Sequence, residues 1–172
     1  MAPQIFPAKD HRVERYLEKP LPSSEESERT ILGAILLDNS VIAQAVESLL
    51  PAMFYSPLNR RVFAAMIALF EKSTQIDPIT IGEELKKEGS LDSIGGITTI
   101  TNLTFGLPHF HNVEEYIKIV KDKSMLRDLI RTCNSITGEA LAEEDEAERI
   151  LEAAEVMIHN LLDRRDTPSA VL

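Results

Sequence analysis

Between Asn112 and Pro168 the chain has a single glycine, Gly138, and no proline. Nothing in this stretch forces a break in a helix, and its apolar residues do not alternate as a strand would require. Leu126, Leu129, Cys133, Ile136 and Ala140 follow one another at spacings of three and four. Ala147, Ile150, Ala154, Met157 and Leu161 repeat that spacing after an interruption, "AEEDEAE". Two such seams joined by a short polar turn predict an antiparallel helical hairpin over residues 112–165, with its first helix starting at Val113. Ile130, Leu151, Ile158 and Leu162 lie outside the two seams. A lone hairpin would leave several of them in water, so pairing of hairpins between two chains is expected, with these four and the seam residues other than Ala140 and Ala147 as the interface.

The preceding segment reads as a separate helical head over residues 23–111, and the whole as all-α. Ser23 and Glu26 have the spacing of a capping box, followed by the stripe Ile31, Leu32, Ile35 and Leu36. Gly33 sits inside that helix, where glycine costs about 1 kcal/mol relative to alanine, so close approach of another backbone is its expected use. Asp38 or Asn39 can cap a second helix, which Pro51 ends. Ser56-Pro57 opens a third, with Val62, Phe63, Met66, Ile67 and Phe70 as its buried face. Asp77-Pro78 opens a fourth, and Gly89 is expected in the left-handed conformation after it. "SIGGITTITNLTFG" is read as a short helix carrying Ile97, Ile100 and Leu103, and "GLPHFHN" as a loop. Residues 1–22 are expected to be a flexible tail and 166–172 the start of a linker.

Chemistry is hard to place on this chain. A phosphate-binding loop needs glycines five positions apart before a lysine, and no two of the seven glycines have that separation. No cofactor is therefore expected in these residues. His109 and His111 are one residue apart but lack the further ligands a metal site needs. Cys133, the only cysteine, falls in the apolar seam and is expected to act as a small buried hydrophobe. Lys123, Arg127 and Arg131 share a helix face, which is read as solvated or as a polar face for a partner. The formal net charge of −10 argues against a stand-alone DNA clamp, which would neutralise phosphates with basic side chains. The reading is an all-helical interaction module without an active site.

Three stretches in order carry a resemblance. "EESERTILGAILLD" resembles the opening helix of the N-terminal domain of bacterial replicative DNA helicases, the DnaB family. "FYSPLNRRVFAAMIALFEKSTQIDPITIGEELKKEGSLDSIGG" resembles the part that follows, with Phe54-Tyr55, Asn59-Arg60, Asp77 to Thr80 and Gly95-Gly96 matching. "NVEEYIKIVKDKSMLRDLIRTCNSI" resembles the first hairpin helix, with Tyr116, Ile119, Val120, Lys123, Leu126 and Arg127 in place. The family usually has an aromatic shortly after the glycine pair, where this chain has Thr98 and Thr99.

The resemblance implies a cytoplasmic collar domain. It would pair subunits into a ring, receive the primase and the helicase loader, and bind little DNA itself. ATP and magnesium would belong to an ATPase domain outside these residues. Two readings follow: a helicase fragment, or a stand-alone plasmid or phage adaptor with the collar fold that binds a host helicase or primase.

Overall fold

In the computed structural model, which describes residues 19–107 and 112–166, the chain is all-α, with no strand among the described residues. The head contains α1 (Glu25–Leu37), α2 (Val41–Ser48), α3 (Pro57–Glu71), α4 (Pro78–Lys87) and the short α5 (Gly96–Thr101). Two long helices follow, α6 (Val113–Ala142) and α7 (Ala147–Asp166). They pack against each other, and α6 also packs against α1 and α2. No helix among the described residues is long and apolar enough to cross a membrane.

Local sequence chemistry fixes most helix starts. Ser56 accepts from the Asn59 amide at 3.4 Å, with Pro57 in the first turn. Asp77 and Thr80 form a complete reciprocal capping box ahead of α4. Gly89 has φ +67°, as its place after α4 predicts. Two starts differ from expectation. The cap of α1 is Ser24, not Ser23, because the helix begins one residue later and Ser24 Oγ accepts from the Ser27 amide. Neither Asp38 nor Asn39 caps α2. Asp38 takes the Ser40 amide at 2.9 Å, while Asn39 bridges Ile35 O and both backbone groups of Ile76, tying α1 to the segment before α4.

Ile31, Leu32 and Ile35 of α1, Val62, Phe63 and Met66 of α3, and Ile81 and Leu85 of α4 form the centre of the core. The rings of Phe54 and Phe63 lie 4.7 Å apart within it. Phe70 departs from the expected buried face and is exposed at the end of α3. Ile100 and Leu103 are buried as expected, whereas Ile97 is partly exposed and lies across Gly82. Val113, Ile117 and Val120 also belong to this core, so the first turns of α6 are part of the head.

Gly33 meets its expected use. A Cβ there would stand 2.7 Å from the Leu103 carbonyl oxygen and against a Leu107 methyl. Gly138 has no such neighbour: a Cβ would find nothing within 4 Å, and its φ is not positive. Gly138→Ala is therefore expected to stabilise the chain by about 0.5–1 kcal/mol, read as a higher urea midpoint at unchanged slope.

Candidate interaction surface

The tip of the hairpin is set by Glu143, which ends α6 with φ +54°. From there α7 returns along α6. Of the expected α7 seam, Ile150, Ala154, Met157 and Leu161 are half-buried and Ile158 joins them, whereas Ala147 is exposed. On α6, Ile130 and Ile136 are half-buried. Leu126 and Leu129, expected in the seam, are 46% and 40% exposed, and Cys133 is exposed rather than buried. The reason is the continuity of α6. Val113, Ile117, Val120, Ser124 and Arg127 are buried and fix the rotation of the helix on the head. The inner face of the hairpin is thereby turned to half-buried Met125, Thr132 and Ile136, of which only Ile136 belongs to the apolar series.

Several exposed apolar residues consequently share a side, while Leu141 and Val156, also exposed, lie away from it. On α6, Leu126, Leu129 and Cys133 lie to one side of that inner stripe. On α7, Leu151 and Leu162 are 70% and 50% exposed and lie to the side of its own inner stripe in the same rotational sense. In an antiparallel pair, rotations of the same sense from the contact line bring both sets to one broad face. That face carries Leu126, Leu129, Cys133, Leu151 and Leu162 in water.

The three basic side chains do not form one surface. Lys123 is half-buried. Arg131 is exposed and pairs with Asp128 at 2.9 Å. Arg127, expected on an outer face, is only 3% exposed. Its Nη1 donates to Pro22 O at 2.8 Å and its Nη2 donates to Met53 O, with the guanidinium 5.7 Å from the Tyr55 ring centroid. Burial pulls its pKa below the ordinary value, and the neighbouring Glu28 carboxylate opposes that drop. The sequence carries no signal for these contacts, because both acceptors are backbone carbonyls remote in the chain.

Glu28, also missed by sequence reasoning, is 1% exposed. Its carboxylate accepts from the Tyr55 amide, from the Ser56 amide at 3.2 Å and from Asn59 Nδ2 at 2.9 Å. It thus satisfies free amides at the start of α3. A surface cavity of about 490 Å³ lies beside it, lined by Glu25, Glu26, Arg29, Leu58, Asn59 and Leu107 among others. Among the described residues, no three His, Cys, Asp or Glu side chains gather as metal ligands, and His109 and His111 lie outside those residues.

The described residues form a helical head bearing a two-helix arm with an exposed apolar strip. The chain belongs to the DnaB-like helicase N-terminal domain family, whose model matches residues 20–122. The replicative DNA helicase DnaC of Bacillus subtilis is 36% identical over 146 residues, which are 85% of this chain and 32% of that protein. The chain thus spans about a third of the length of this curated relative. The N-terminal domain of DnaB helicase from Mycobacterium tuberculosis superposes with a TM-score of 0.76 at 29% identity, covering 81% of this chain and 99% of that one. The corresponding Helicobacter pylori domain, described together with its interactions with primase, gives 0.59 at 27% identity, covering 67% and 90%. The expected family membership and all-α fold hold.

Proposed function

We propose that this chain serves as the collar portion of a replicative DNA helicase, pairing subunits through the hairpin and receiving a primase. The observation that carries the pairing is the exposed apolar face built by Leu126, Leu129, Leu151 and Leu162. Burying a Leu side chain fully is worth about 1.5–3 kcal/mol, so isologous pairing of this face uses each residue twice and supplies a driving force for a dimer. Ile130, Cys133, Ile136, Ile150, Ala154, Met157, Ile158 and Leu161 support or border it. The similarity to a domain described with its primase interactions supports the second role. A helicase loader is a further partner on this reading, and the net charge of −10 leaves direct DNA binding weak and salt-dependent.

Sedimentation velocity over a range of concentrations tests the pairing. A dimer at micromolar concentration is expected, and a monomer throughout would overturn it. ATP and magnesium belong, on this reading, to a motor domain outside these residues. Calorimetry is expected to show no ATP binding at micromolar affinity by the isolated chain, because no glycine spacing here suits a phosphate loop.

A further inference from the structure

We infer that Arg127 is a latch that fixes the direction in which the hairpin leaves the head. It is the last buried residue on α6, and the helix continues beyond it for four turns toward the tip. Its two guanidinium branches hold two separate pieces of the head. Nη1 holds Pro22 O, where the chain enters α1, and Nη2 holds Met53 O, where the chain turns into α3. The Met53 end is itself braced. Arg60 of α3 donates to Phe54 O at 3.0 Å, and Glu28 of α1 takes the amides of Tyr55 and Ser56. Residues 53–56 are thus gripped one after another by charged side chains from three different helices.

The chemistry of the grip suits a latch rather than a core contact. A core apolar contact is non-directional and tolerates sliding of one helix over another. A planar fork holding two carbonyls fixes distance and angle at once. The Tyr55 ring, 5.7 Å from the guanidinium, closes one side of the fork. Past this point, Leu129 and Cys133 of α6 are exposed, and no residue of α6 beyond Arg127 is fully buried. The fork is thus the outermost of the buried holds on α6 and the one with fixed direction, and the inference stands whether or not hairpins pair between chains.

The test measures the angle rather than the stability. In the full chain with Cys133→Ser, spin labels are placed at two exposed sites, Glu88→Cys in the head and Glu144→Cys at the hairpin tip. Labelled chains are diluted in unlabelled chains so that only distances within one chain are read by electron–electron double resonance. A narrow distribution is expected with Arg127 present. Arg127→Met is expected to widen it about twofold while the circular dichroism of the helices and cooperative melting persist. Arg127→Lys, with one ammonium in place of a fork, is expected to widen it as well. An unchanged distribution in Arg127→Met overturns the latch. So does loss of cooperative melting in that variant, because Arg127 would then be holding the head together rather than orienting its arm.

Discussion

Gly33→Ala is expected to destabilise the head by about 2 kcal/mol, against the roughly 1 kcal/mol that alanine gains over glycine within a helix. The obstacle is backbone. The new Cβ would meet the Leu103 carbonyl oxygen at 2.7 Å, and that carbonyl belongs to the 3-10 turn Asn102–Thr104, which cannot rotate aside as a side chain can. Moving the turn outward would lift buried Leu103 from α1 and strain the bonds by which Arg29 holds Asn102 O and Phe105 O. The Leu107 methyl that also meets the Cβ can give way more readily. Urea unfolding of Gly33→Ala beside Gly138→Ala is the measurement. The two identical substitutions should move the midpoint in opposite directions. If both stabilise, the close approach of the turn to α1 is not real.

Leu151→Glu with Leu162→Glu is expected to weaken the proposed dimer about a thousandfold, or roughly 4 kcal/mol, while leaving the chain folded. Each side chain occurs twice in an isologous interface, so four leucines leave it and four carboxylates enter. At 70% and 50% exposure the two residues contribute little to packing within one chain, so helical content and melting should hold. Light scattering beside circular dichroism separates the outcomes. A folded variant that remains dimeric places the interface elsewhere. A variant that unfolds shows that the two side chains belong to the packing of the single chain.

Where the physics is local, the sequence was readable. Ser56-Pro57 and Asp77-Pro78 announce their helices because a cap is decided within four residues, and Gly89 because a left-handed helix end favours glycine. Gly33 was readable as a close approach, though not as an approach to Leu103. The hairpin was readable as two helices and a turn, but the rotation of α6 was not. That rotation is decided by Val113, Ile117 and Val120, which bury against the head before the hairpin begins. Arg127 was misplaced for a related reason. A helix-face argument groups it with Lys123 and Arg131, but its acceptors at Pro22 and Met53 are carbonyls that every residue possesses. Phe70 went astray because it lies at the last turn of α3, where the neighbouring elements no longer cover it.

Because α6 is one unbroken helix from Val113 to Ala142, it works mechanically as a beam clamped at one end. The part beyond Arg127 is about 22 Å long at 1.5 Å per residue. A tilt of about 10° at the clamp would carry the tip sideways through about 4 Å, about three-quarters of the pitch of one helical turn. A movement in the head too small to disturb its core would therefore be enough to shift the arm out of register with whatever lies along it.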